Sequence, residues 1–133
     1  MKPNYELLKD AYAIIDGIPD KVFHLAAWVT RKGKALDCGT VACAGGWLSM
    51  HPQFNDMGLK LNAERFPVLR GLQAIGALAA LFNLEYSDAL DLFGMRPICG
   101  GPRRYDPPNA DRLSDKELWK ARVRNFLNRM GAL

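Results

Sequence analysis

The residues best equipped for chemistry lie in one short stretch, Asp37-Cys38-Gly39-Thr40-Val41-Ala42-Cys43-Ala44-Gly45-Gly46-Trp47. Two thiols, three glycines, a threonine and a tryptophan so close together admit four readings. In the first, Cys38 beside a helix N-terminus gives up its proton readily and acts as a nucleophile, with His24 as its base. In the second, Cys38, Cys43 and Cys99 join His24 or His51 in a tetrahedral zinc set, although Cys-x4-Cys is wider than the usual two-residue knuckle. In the third, the free N–H groups of Gly39, Thr40 and Val41 receive a phosphate or other anion, and Arg70, Arg103 or Arg104 completes the site. That stretch lacks the spacing of a P-loop, and no strand precedes it as a dinucleotide fingerprint requires. In the fourth, the stretch is architectural: the cysteines are small hydrophobes, the glycines let backbones touch, and Trp47 anchors the core. Adjacent glycines inside a helix each cost about 1 kcal/mol relative to alanine, which implies a packing or ligand reason for keeping them.

The architectural reading is preferred. It leaves no catalytic residue, metal or cofactor expected. The alternative is a nucleotide- or small-anion-binding protein using Cys38, Gly39, Thr40, Arg103 and Arg104, with a thiol enzyme behind it.

Charge marks a second candidate. The net charge is +4. From Arg103 to the last residue, eight basic side chains face four acidic ones, so this segment carries the whole surplus. Lys116, Lys120 and Arg124 recur every four residues, and Arg122 and Arg129 extend the basic surface. Such a helix suits an acidic partner. Nucleic acid is the weaker match. Asp115 and Glu117 interrupt the charge, Trp119 and Phe126 fall on the apolar stripe instead of being displayed for base stacking, and no helix-turn-helix is evident. An acidic protein surface is the expected partner, contacted through Lys116, Lys120, Arg122, Arg124 and Arg129.

The scaffold around these groups reads as mainly helical. Leu7, Leu8, Ala11, Tyr12 and Ile15 form the stripe of a first amphipathic helix, which Pro3 opens and Gly17 closes. Pro19-Asp20 opens a second, running to about Thr30 with Val22, Phe23, Ala26 and Ala27 buried. A third runs from Gly39 or Thr40 to about Met50, placing Cys43, Trp47 and Met50 on one face, with Pro52 enforcing a stop. Residues 53–69 read as an irregular loop or short hairpin, and Pro67 argues against a central strand. Residues 70–82, apolar nearly all round, predict a helix buried on most sides, with Gly71 and Gly76 allowing close approach. Ser87 is a candidate cap for a short helix over 88–93. Residues 95–113 form a Pro/Gly-rich loop. Ser114-Asp115-Lys116-Glu117 is a capping box opening a basic helix over 114–130, with Trp119, Val123, Phe126, Leu127 and Met130 on its inner face. The expected fold is a compact single-domain α bundle (1–133) of about six helices, with room for one β-hairpin near 59–69.

Composition fits a soluble globular chain, with 49% apolar and 24% charged residues. The longest apolar run, residues 74–82, is too short to span a bilayer. Residues 1–10 lack an apolar leader, so a cytoplasmic location without membrane contact is expected. An odd cysteine count there favours free thiols.

The segment Cys38-Gly39-Thr40-x-x-Cys43-x-x-Gly46-Trp47 resembles a group of small, mostly uncharacterised proteins encoded by bacteriophages, prophages and some bacteria, whose pattern reads C-G-T-x-x-C-x-A-G-W. Gly45 stands where that pattern has alanine. Phe23-His24-Leu25-Ala26-Ala27-Trp28 is similar to the upstream F-x-[ML]-x-x-W. Leu84, Ser87, Ala89 and Leu92-Phe93 are similar to the downstream L-x-x-S-x-x-A-x-x-L-F, with the serine register shifted. The resemblance covers residues 23–93 and leaves out the tail from Arg96. It implies a compact helical fold and a phage-type origin, and it carries no established reaction. Together with the basic terminal helix it points to a non-catalytic accessory protein that occludes a host protein, as a host-takeover or anti-defence inhibitor.

Overall fold

The computed structural model describes residues 2–25, 29–30, 41–96 and 102–133. Expectations for Ala26, Ala27, Trp28, Cys38, Gly39, Thr40 and Cys99 lie outside the described residues. The chain is mainly α. Its helices are α1 (Tyr5–Asp16), α2 (Ala44–Ser49), α3 (Pro52–Asp56), α4 (Ile75–Phe82), α5 (Tyr86–Phe93) and α6 (Asp115–Arg129). Strands β1 (Val29–Thr30) and β2 (Val41–Ala42) form an antiparallel pair. Strands β3 (Lys60–Leu61), β4 (Pro67–Leu69) and β5 (Leu72–Gln73) form a three-stranded antiparallel sheet in that order.

α1 forms as its stripe predicts. Asn4 Oδ1 accepts from the Leu7 N–H at 3.1 Å, satisfying one of the donors a helix start leaves free, and Leu7, Leu8, Ala11 and Ile15 are buried. Among the described residues the second predicted helix does not form. After one 3-10 turn, Asp20–Val22, the chain extends; Phe23 bridges to Ala42, and the His24 N–H donates to the Ala42 carbonyl at 3.0 Å. Pairing with β2 supplies backbone hydrogen bonds that outweigh a weak apolar stripe. The same pairing shortens the third predicted helix. Residues 41–42 are strand, Cys43 occupies the N-cap position, and α2 starts at Ala44.

The hairpin expected near 59–69 is present, and a third strand extends it. Pro67 sits in the central strand after all. It is that strand's first residue, opposite Leu61, and its carbonyl accepts from Ala74 N–H at 2.8 Å. A proline that opens a strand and uses only its acceptor costs the ladder little. Arg70 and Gly71 have φ of 48° and 82°, the two positive values a type I′ turn needs between β4 and β5. The helix expected from residue 70 therefore starts only at Ile75. A Cβ on Gly71 or Gly76 would meet nothing within 4 Å, so neither glycine is there for close packing. α5 begins at Tyr86 with Glu85 in the cap position, earlier than Ser87 suggests.

α4 is the centre of the molecule, with Ile75, Ala77, Leu78, Ala79, Leu81 and Phe82 all buried. A chain of rings crosses it. Phe54 of α3 packs on Phe82, Phe82 stacks on Phe93 of α5, Phe93 meets Trp119 of α6, and Trp119 stacks on Tyr12 of α1, with centroids 5.6–6.4 Å apart. Such offset ring pairs add to the burial of their surfaces. No described helix is long and apolar enough to cross a membrane.

Candidate functional site

The central motif is packed inward where it is described. Cys43 is 2% exposed, and burial pushes its thiol up to about 11. A thiol that holds its proton so tightly is a poor nucleophile and a poor metal ligand at neutral pH. Gly45 and Gly46 are buried in α2, and Ser49 Oγ donates back to the Gly45 carbonyl at 2.7 Å. Trp47 is half-buried, and its indole N–H donates to the Val22 carbonyl at 3.0 Å, tying α2 to the 3-10 turn. His51 caps α3, its Nδ1 accepting from Gln53 N–H at 3.2 Å. His24 lies 3.8 Å from the Asp115 carboxylate. Among the described residues no cluster of three or more His, Cys, Asp or Glu side chains could hold a metal.

The basic residues divide into two groups that sequence alone merges. The first is locked inside the fold. Arg122 is wholly buried; its Nε donates to Asp106 Oδ1 and its Nη1 to the Gly94 carbonyl, both at 2.6 Å. Arg122 therefore does not belong to a partner-contacting surface. Arg104, expected as an anion ligand, already holds Asp88 at 2.9 Å and Asp91 at 3.3 Å. Arg103 donates to the Met95 carbonyl at 2.7 Å and lies 3.9 Å from Asp91. Its guanidinium crosses Gly94 so closely that a Cβ there would sit 2.8 Å from Cζ. Tyr105 donates to Asp88 at 2.6 Å; burial first, and then this bond, push the phenol up to about 12. Arg96 donates to Asp115 at 2.7 Å and to the Ala110 and Leu113 carbonyls. Burial would raise the Asp115 carboxyl, but the Leu25 N–H and the Arg96 guanidinium outweigh it and hold the group below the usual carboxylate range. These contacts fasten residues 102–113 to α5 and α6. Much of the positive surplus counted along the C-terminal segment is thus cancelled by α5 carboxylates outside that segment.

The second group lines the face where α6 runs along α1. Ser114 Oγ accepts from Glu117 N–H at 3.2 Å, so Ser114 caps the start of α6 as expected, while the Glu117 carboxylate accepts from Lys120. Residues 116, 120 and 124 then share one side of the helix. Lys120 is anchored to Asp16 at 2.5 Å and to Glu117 at 3.4 Å. Its bond to Asp16 raises the ammonium above its ordinary value and holds that carboxyl below its own. Arg124 is exposed, and its Nη1 donates to the Tyr12 hydroxyl at 2.6 Å. Among the described residues no carboxylate forms a salt bridge with Lys116, Arg124 or Arg129, although the Lys116 charge acts on Asp16 from farther off. Arg129 stands apart from the stripe, its guanidinium 6.0 Å from the Tyr105 ring.

Beside Arg124 the surface dips into a cavity of ≈ 250 Å³ lined by Lys9, Tyr12, Arg124, Leu127 and Leu133. Its far wall depends on the end of α6. Gly131 has φ of +70°, and Ala132 N–H donates to the Leu127 carbonyl at 2.8 Å, so the chain doubles back and brings Leu133 over the groove. Lys9, Tyr12, Leu127 and Leu133 escape a reading based on charge runs. The available hint was Tyr12, a residue with a polar tip placed in an otherwise aliphatic stripe.

Comparison with protein-family models, with curated proteins and with solved structures finds no match to this chain.

Proposed function

We propose that the protein is a non-catalytic accessory protein of the phage or prophage type that binds an acidic surface of a host protein through the α1/α6 face. The observation that carries this reading is Arg124: exposed, held in place by the Tyr12 hydroxyl, and without a carboxylate of its own among the described residues. A cation fixed by a neutral partner keeps its full charge for another molecule and loses little side-chain freedom on binding. Lys116 adds to the same stripe, whereas Lys120 is half neutralised by Asp16 and serves to join α6 to α1. The buried, high-pKa thiol of Cys43 favours a scaffold role for the central motif over a catalytic one.

The test is affinity capture from bacterial lysate at low and moderate salt. Three proteins are compared: the native chain, the Lys116→Glu/Arg124→Glu double variant, and an Arg129→Glu control of lower charge off the stripe. The expected result is a partner retained by the native protein and the control, and released by the double variant. Absence of any retained partner at low salt, or undiminished retention by the double variant, refutes the assignment.

A further inference from the structure

Resting on the α1/α6 reading, we propose that the cavity lined by Lys9, Tyr12, Arg124, Leu127 and Leu133 receives one large apolar side chain from a partner segment whose neighbouring residues are acidic. At ≈ 250 Å³ the cavity falls below the range of roughly 300–1,000 Å³ occupied by cofactor and drug-sized ligands, so it matches a side chain better than a nucleotide. Its chemistry is split. Leu133, the Tyr12 ring and the edge of the buried Leu127 present carbon, while Arg124 brings a cation to the same opening; Lys9, also in the wall, already holds Glu6 at 3.5 Å. An apolar anchor alone leaves the Arg124 charge idle, and a free anion alone leaves Leu133 wet. A Phe or Leu flanked by Asp or Glu uses both halves. The Arg124 guanidinium is preset by its 2.6 Å bond to Tyr12, and Tyr12 is itself stacked on the fully buried Trp119. The site is therefore built before the partner arrives. Leu133, which forms part of the wall, is 68% accessible and so offers apolar surface to a partner. A buried anchor ringed by charge is the usual composition of an interface hot spot.

Three short peptides test the idea by titration of backbone amide NMR shifts into the millimolar range: acetyl-Glu-Glu-Phe-Glu-Glu-amide, the same peptide with Ala for Phe, and the same with Gln for Glu. The first is expected to shift the amides of residues 9, 12, 127 and 133 saturably. The alanine peptide should bind roughly 10-fold or more weakly, which is what losing one buried aromatic side chain costs. The glutamine peptide should bind several-fold more weakly, and the Arg124→Gln protein should no longer distinguish it from the glutamate peptide. Equal binding of the Phe and Ala peptides overturns the pocket and leaves the basic face standing. Equal binding of the Glu and Gln peptides overturns the acidic requirement. No shift on α1 or α6 with any peptide overturns the pocket, and the lysate capture then judges the face separately.

Discussion

Neutralising Asp106 exposes the cost of the internal arginine at Arg122. The Arg122 side chain is 0% exposed and that of Asp106 only 2%, with 2.6 Å between Nε and Oδ1. Burial lowers the Arg122 pKa from its ordinary value, and the Asp106 carboxylate opposes that shift. Arg122 Nη2 has no partner among the described residues, so the guanidinium is already short of acceptors. Asp106→Asn keeps the shape of the side chain and leaves a buried cation supported only by carbonyls. Breaking one side of such a pair costs about 3–5 kcal/mol, a large share of a typical stability of roughly 5–15 kcal/mol. With a urea slope of about 1.5 kcal/mol per molar, the midpoint should fall by about 2–3 M, read by circular dichroism. Arg122→Met should cost somewhat less, because Asp106 retains the Arg103 N–H at 3.0 Å. Arg122→Met combined with Asp106→Asn should cost less than the two single changes added, with a coupling of at least about 1 kcal/mol. A loss below about 1 kcal/mol for Asp106→Asn, or strict additivity in the cycle, refutes the argument that this pair holds the 102–113 segment.

Two further outcomes rest on the packing. Cys43 titrates near 9.0 when unperturbed and at about 11 here, so the folded state holds its proton more tightly. Its contribution is fully present below pH 9 and is lost as pH rises from 9 to 11, a fall on the order of 3 kcal/mol. Tyr105, moved from 10.0 to about 12, adds a second loss between pH 10 and 12. Cys43→Ala should remove the first limb of the alkaline stability profile and keep the second; an unchanged profile counts against burial as the cause. Ala74 has φ 52° and ψ −125°, a conformation that suits only glycine. Ala74→Gly relieves strain of about 1–3 kcal/mol against an entropy cost of about 0.4–1 kcal/mol, so a net gain in urea midpoint is expected. A decrease refutes the claim of strain at the start of α4.

Although the Asn4 cap of α1 emerged only with the structure, the helical class, the first and last helices, the Ser114 cap, the central apolar run and the short hairpin were all legible in the chain before folding. Each depends on periodicity, or on a capping or turn residue acting within a few positions, and such signals are complete locally. The extended backbone at residues 23, 29–30 and 41–42 required three dimensions. Phe23, His24 and Ala42 are distant in sequence, and their backbone pairing outbids a modest amphipathic stripe. The same limit applied to charge. Counting along the chain placed Arg103, Arg104 and Arg122 in a basic patch, but Asp88, Asp91, Asp106 and the carbonyls around Gly94 consume them from other elements. Arg122 looked like a surface cation because it falls among Lys116, Lys120 and Arg124 along the chain, whereas burial is a property of neighbours in space. The tertiary fold alone left Arg124 beside an apolar hollow with no carboxylate among the described residues, because only the packing of α1 on α6 brings Lys9 and Tyr12 to Leu127 and the returning tail.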